Sequence, residues 1–599
     1  MKSTVLASGD DLGPATQAVP SGKRRGTREA SARAGLSPVG IFVRLFALFG
    51  ALISLWALAT PLMAFPDEPA HTIKAAAVVR GQITVEEGAS FGHGVHVRVP
   101  SYIANLDAQG CYKYRPDAPA QCAPEIPRDD NFETIGVTTA GTYNPMYYWL
   151  VGLPSLLFSG APALYGMRII SALITAAFFA AGFTALSQLS RPRLPVLMAC
   201  IGMTPMVLFL GSGINPNSLE VAATMAAFSG FIVLLDNASQ PARVRPAIVT
   251  VVVSSAVLAN TRQVSLVWLL CVLVVGLFFF KRTAIVAAFR SKYVLTAVAI
   301  TVPPVLLGIA WILLMLNAPA SAGVAPIGII NPMPGVRPDQ GFVTMLDRFF
   351  SFFPQYIGVM GWLDTPLPDV VFMFWNFLFV AALLLPLTIK PLRQAAGYWV
   401  ALGMLLVVPA VLQAQLISSM GLIWQGRYNL PLVMVVFIAV GMAARSLPIT
   451  ATIHARAVSR VVIIAAAAAH VIGFAYILRR YVVGIAELGN WQIMITNPKW
   501  QPPFGWPLLC LLYAVLLVLA AQSLYAYLYP GSRLLAGPAR ILAATQPLAR
   551  IRARGSRPEP QPAEAPGTAP QPTEVDAAGT ELQPADRGAA VKSMDQPGT

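Results

Sequence analysis

Apolar runs of spanning length recur along the chain from Gly40 to Leu528, separated by short polar segments. About twenty apolar residues cross a bilayer as a helix. The runs predict spans over roughly 40–64, 163–187, 194–211, 217–235, 246–260, 263–280, 294–316, 369–389, 395–415, 429–444, 459–478 and 505–528, about twelve in all. The pattern predicts an all-α, polytopic integral membrane protein without an internal repeat. Residues 1–39 are basic and Gly/Ser/Ala-rich, and residues 529–599 become Pro/Ala/Glu/Gln-rich from Pro558. Both read as disordered tails around a transmembrane domain over 40–528. The first apolar run lies behind a long basic leader, so it does not read as a cleavable signal peptide.

One apolar run is too short to span. It opens at Tyr143-Asn144-Pro145-Met146-Tyr147-Tyr148-Trp149-Leu150 and reaches Ser159. Its crowded aromatics suit the membrane interface, so it is expected to lie on or dip into the outer leaflet. If it does not cross, Arg191/Arg193, Arg243/Arg245, Lys281/Arg282/Arg290/Lys292, Lys390/Arg393 and Arg445/Arg456/Arg460 all fall inside. If it crosses, nearly all of them fall outside. The positive-inside bias selects the first topology, with both termini cytoplasmic and 65–162 as a large first extracytoplasmic loop.

Composition agrees: 56% of the 599 residues are hydrophobic and 12% charged. The net charge of +15 arises from clusters between spans and does not point to nucleic acid. Of five cysteines, Cys200, Cys271 and Cys510 lie in apolar runs and read as packing residues. Cys111 and Cys122 lie in the long outer loop and are expected to form a disulfide. His93 and His96 read as loop residues rather than half of a metal site.

The polar signals gather on the outer side. At the exit of the first span stands Pro66-Asp67-Glu68-Pro69-Ala70-His71, with a short helix expected over Thr72–Gln82 and ended by Gly81. Pro69 suits a first helical turn, and Asp67 and His71 share one face. An acid here either caps the helix or acts as a general base on a hydroxyl. Capping accounts for one acid, not for two acids and a histidine together. The other outer segments carry Asn215 to Glu220, Asn260 to Gln263, Gly361-Trp362-Leu363-Asp364 and Gln425-Gly426-Arg427-Tyr428. Arg427 is a candidate to bind a phosphate through its planar fork, with Arg262 a second; an interfacial anchor is the plainer reading of Arg427. Trp362 and Asp364 are candidates to stack on and accept from a sugar, or to be an interface aromatic and a turn acid.

An acidic pair after the first span, ahead of membrane-lying helices, resembles the GT-C superfamily of polyprenyl-phosphate-dependent glycosyltransferases. Tyr143–Trp149 is similar to the Pro-Pro-Leu-x-Tyr-type segment of that class, with Asn144 where a first proline is common. Pro66–His71, Gly361–Asp364 and Gly426–Tyr428 with Pro431 resemble the domain-of-unknown-function 2142 family of bacterial membrane proteins, over Phe42 to about Leu528. The resemblance implies GT-C-like architecture in a bacterial plasma membrane. It implies a polyprenyl-phosphate sugar donor, an envelope glycan or lipid acceptor, and a boundary of membrane lipids. Asp67 would be the base, with Glu68 and His71 tuning or positioning it. Arg427, Tyr428, Gln425, Arg262, Tyr143, Asn144, Trp362 and Asp364 would bind substrate. It implies no firm cofactor; a divalent cation near Asp67/Glu68 stays open. A transporter or flippase for lipid-linked glycans, or an assembly factor, is the alternative. A transporter should bury ionisable residues at mid-span, and Glu220 is the main such residue seen.

Overall fold

Ser37 and Pro38 start the first long helix, α1 (Pro38–Ala59): the Ser37 hydroxyl accepts from the Gly40 amide, and Pro38 occupies the first turn. The computed structural model describes residues 37–83, 94–128, 130–238, 241–316, 332–448, 453–485 and 490–534. Apart from their inner edges, the two expected tails lie outside the described residues, as does His93.

Among the described residues, nine helices are long and apolar enough to cross a membrane. They fall on nine of the twelve expected spans. The other three segments hold shorter helices. The run expected over 194–211 is broken into Arg193–Gly202 and Pro205–Leu210. The break has a local cause: Pro205 has no amide to continue the ladder, and the Thr204 hydroxyl donates to the Tyr356 carbonyl at 2.7 Å instead. The runs over 246–260 and 263–280 become Val244–Ala259 and Ser265–Leu277. The chain is an all-α, polytopic membrane protein.

The spans close around aromatic and small residues. Trp56 of α1 donates from its indole to the Tyr513 hydroxyl at 3.0 Å and packs edge-on against Phe474 at 4.7 Å. Phe474 stacks on Tyr513 at 4.1 Å, so three spans distant in sequence share one joint. At Gly441 a Cβ would come within 2.5 Å of the Pro195 backbone, so only glycine admits that helix approach.

The segment expected to be the first outer loop folds into its own layer. Its helix α2 (Glu68–Val78) begins four residues before the expected start and is followed by a turn in which Gly81 has φ +87°. Two strands, β1 (Val95–Pro100) and β2 (Glu133–Thr138), pair antiparallel from Val95↔Thr138 to Pro100↔Glu133. This hairpin is absent from the sequence expectation, because six-residue strands alternate too briefly beside the apolar runs. Gln82 seals the edge of β1, donating to the Arg98 carbonyl and accepting its amide at 2.7 Å each. His96 sits in β1, paired with Val137.

The expected membrane-lying segment is α3 (Pro145–Gly152) followed by a turn of helix over Pro154–Leu157. At 1.5 Å per residue α3 is about 12 Å long, well short of a bilayer core. Trp149, Leu150, Leu153, Leu156, Leu157 and Phe158 are exposed along it. A Ser159→Cys protein should therefore react with a membrane-impermeant maleimide added outside intact cells. Labelling only after the inner face is opened would overturn this topology.

Cys111 and Cys122 are joined by a disulfide, with Cα atoms 6.0 Å apart. The ring they close is held from below by Arg480, which donates to the carbonyls of Ala118, Tyr112 and Arg115 at 2.7, 2.8 and 3.0 Å. Both thiols should resist alkylation in protein purified without reductant and react after reduction. Two freely alkylated thiols before reduction would contradict the bond.

Candidate active site

Asp67 sits at the exit of α1 in a left-handed backbone conformation, φ 62°. Aspartate tolerates that region better than most residues, at a cost of order 1 kcal/mol. The conformation turns the side chain away from α2, and it makes no capping hydrogen bond. Helix capping is thus not what Asp67 does. Its carboxylate instead accepts from Arg427 Nη2 at 2.5 Å, with Asp67 half-exposed and Arg427 buried. Burial works to raise the Asp67 carboxyl, but the Arg427 guanidinium outweighs it and holds the group below its ordinary range.

Glu68, the adjacent residue, points the opposite way. Its two oxygens accept from Arg168 Nε at 2.7 Å and Nη2 at 2.6 Å, in a pair with no solvent exposure on either side. Arg168 comes from α4 (Gly160–Leu186) and also donates to the carbonyls of Ala57, Thr60 and Pro61 at 3.1, 2.9 and 2.7 Å. The Ile214 amide donates to Glu68 as well, at 3.2 Å. This is a closed knot that fixes the turn presenting Asp67. Of the two roles expected for Glu68, tuning or positioning Asp67, this fully buried pairing favours positioning of the backbone. Among the described residues no group of three or more His, Cys, Asp or Glu is placed to hold a metal ion. With its two carboxylates facing different arginines, the acidic pair offers a cation no shared donor set.

His71 lies one turn on and shares a 2.8 Å hydrogen bond through Nδ1 with the Tyr148 hydroxyl. Burial pushes its pKa down to about 3, so the ring is neutral across the physiological range. It packs against Tyr143 at 5.5 Å between ring centroids. Lys74 of α2 donates to the Gly141 carbonyl at 2.8 Å and so ties down the strand leading into Tyr143.

Tyr428 stands between two arginines. Its ring lies 5.1 Å from the Arg427 guanidinium and 5.1 Å from that of Arg262, and Arg262 also lies 5.9 Å from the Tyr143 ring. Cation–π contact of this kind stiffens both side chains. Arg262 Nη1 donates to Glu220 at 2.9 Å, and the Ser265 hydroxyl donates to the other Glu220 oxygen at 2.5 Å. Burial is the largest influence and opposes the Arg262 charge, but Glu220, Tyr143 and Tyr428 together hold the guanidinium above its ordinary pKa. Arg427 Nε and Gln425 Oε1 are buried without a hydrogen-bond partner among the described residues. Buried polar atoms are normally satisfied, so these two stand out beside the Asp67–Arg427 pair.

The tertiary structure thus gathers Asp67, His71, Tyr143, Arg262, Gln425, Arg427 and Tyr428. Three other expected site residues serve the scaffold. Asn144 caps α3, accepting the Met146 amide at 3.0 Å, and donates to Asn260 at 3.0 Å. Asp364 is buried and accepts the Tyr114 amide at 2.8 Å and the Thr365 hydroxyl at 2.9 Å, facing Arg480 at 3.7 Å. The Trp362 indole donates to the Met63 carbonyl at 3.0 Å, and Lys113 Nζ covers its ring at 3.9 Å. Asp364 and the Trp362 face thus touch the disulfide ring through Tyr114 and Lys113, while the Trp362 indole holds the Met63 carbonyl; a sugar-binding role for the two stays a proposal. Arg168 and Tyr148 were missed by the sequence reading. A lone arginine inside an apolar run was the available signal for the first.

Solved structures that resemble the chain include two of one protein. One is ArnT from Cupriavidus metallidurans bound to undecaprenyl phosphate, 14% identical with a TM-score of 0.39, covering 86% of this chain and 81% of that one. The other is the same protein in the apo state, 13% identical with a TM-score of 0.38, covering 82% and 77%. No curated protein matches the sequence. A family model described as "Predicted membrane protein (DUF2142)" matches residues 49–436, well over half of the chain. The protein belongs to this DUF2142 family of membrane proteins.

Proposed function

We propose that the protein is a GT-C-type membrane glycosyltransferase that moves a sugar from a polyprenyl-phosphate donor to an envelope glycan or lipid acceptor on the outer face. The observation that carries this reading is the Asp67–Arg427 pair: a half-exposed carboxylate on a buried guanidinium whose Nε has no partner among the described residues. Arg427 is placed to take an oxyanion through its free edge. Arg262, across the Tyr428 ring, adds a second fixed positive charge.

A donor phosphate arriving on Arg427 competes with Asp67 for the same guanidinium. That competition frees the carboxylate and restores its basicity. Asp67 then takes the proton of an acceptor hydroxyl as its oxygen bonds to the anomeric carbon. The bond from that carbon to the phosphate oxygen breaks, and its electron pair leaves with the polyprenyl phosphate. The arginines stabilise the charge that develops there. Neutral His71 and the Tyr143/Tyr148 pair hold the face on which Asp67 sits. The proton transfer is assigned to Asp67. Glu220, the main acid that would favour a transporter, is bound by Arg262 and Ser265.

The test is transfer of a labelled sugar from a polyprenyl phosphate in membranes holding the protein. Arg427→Ala should raise the donor KM by tenfold or more, and Arg427→Lys should restore part of it, because lysine keeps the charge and loses the fork. Unchanged donor KM in Arg427→Ala, or no labelled product with the unaltered protein, would count against the reading.

A further inference from the structure

The far end of α2 borders a second feature that the proposed transfer does not use. A cavity of about 810 Å³ is lined by Arg80, Arg98 and Arg128, with Glu133 as the acid on its wall. Leu156, Leu157 and Phe158, three exposed apolar residues of the expected membrane-lying segment, also line it. The helix between this cavity and Asp67 is about 17 Å long, so the two are separate places.

The three arginines differ in how firmly they are held. Arg80 Nη1 donates to the Ala76 carbonyl and the Ser155 hydroxyl at 2.9 Å each, and its Nη2 to the Ser155 carbonyl at 2.8 Å. It is a fixed part of the wall and ties α2 to the membrane-lying segment. Arg98 meets Glu133 only at 3.8 Å, with both side chains mostly exposed. Such a pair is weak and readily exchanged. Arg128 is exposed. Among the described lining residues one acid stands against three arginines, and the apolar part of the lining belongs to the segment expected to lie at the membrane surface.

We propose that this cavity binds the headgroup of an anionic phospholipid of the outer leaflet, with the acyl chains lying against Leu156, Leu157 and Phe158. Charge complementarity selects the headgroup phosphate. The contiguous exposed apolar residues select a lipid over a free anion. A bound lipid would fix the membrane-lying segment, and through Arg80 the end of α2, at the membrane surface.

The experiment uses the full chain in nanodiscs of phosphatidylcholine with 20% phosphatidylglycerol, followed by detergent extraction and mass analysis of retained lipid. Phosphatidylglycerol should be retained in preference to phosphatidylcholine. Near a membrane surface each arginine is worth roughly fivefold in affinity, so Arg98→Gln with Arg128→Gln should lower retention by about 30-fold. Both side chains are exposed, so the elution profile and melting of the double variant should match the unaltered protein. Leu157→Gln with Phe158→Gln should also lower retention. Three results would overturn the proposal. They are equal retention of the two lipids, undiminished retention by the double arginine variant, and displacement of phosphatidylglycerol by millimolar inorganic phosphate with no effect of Leu157→Gln and Phe158→Gln. The last would assign the cavity to a free anion.

Discussion

Replacing Asp67 with asparagine should reduce sugar transfer by a hundredfold or more while the protein accumulates in the membrane at its normal level. The size follows from the loss of a general base. The sparing of the fold follows from the backbone: Asp67 adopts φ 62°, and asparagine is the other residue that tolerates this region. The amide oxygen can still accept from Arg427, so the buried guanidinium keeps a partner. A pH profile adds a second reading. Because Arg427 holds the free Asp67 carboxyl below its ordinary range, kcat/KM should not fall on its account between pH 8 and pH 5. Once donor occupies Arg427, the carboxyl loses that neighbour and its pKa rises, so kcat should fall at higher pH than kcat/KM does. His71 contributes to neither limb near neutrality, its pKa lying at about 3. Near-wild-type transfer by Asp67→Asn would leave the acid as a partner for Arg427 and remove the enzymatic reading.

The second large effect concerns folding. Arg168→Met should destabilise the protein by about 3–5 kcal/mol, because it leaves the Glu68 carboxylate buried without its partner. It also removes the donor shared by the Ala57, Thr60 and Pro61 carbonyls at the end of α1. Thermal melting followed by size-exclusion profiles should show an early transition or loss of the monodisperse peak. Arg168→Met combined with Glu68→Leu should recover part of the loss, since replacing a whole buried pair by apolar groups costs little. Equal melting of Arg168→Met and the unaltered protein would show that the knot does not support the fold. Recovery of folding without activity in the double variant would separate positioning of Asp67 from stability.

The apolar runs alone determined that the chain is an all-α membrane protein and where nine of its long helices lie. Burial in a bilayer forces every backbone group to be satisfied within its own segment, so span location is a local property readable from sequence. The exit motif at Asp67 and the Gly-Arg-Tyr turn were legible for the same reason: polar groups at span ends stand out against apolar neighbours. What each polar group does was not local. Asp67 and Glu68 are adjacent, yet one backbone rotation into φ 62° sends them to arginines 360 and 100 residues away. Asp364 and Trp362 stand out as candidate ligands in sequence, but their contacts with Tyr114, Met63 and Lys113, supplied by other segments, were not legible there. Arg168 was hidden inside a span, where its meaning depends on a partner supplied by another segment. Charge pairing at membrane depth is decided by which helices pack together, and packing is a property of the whole chain rather than of any one run.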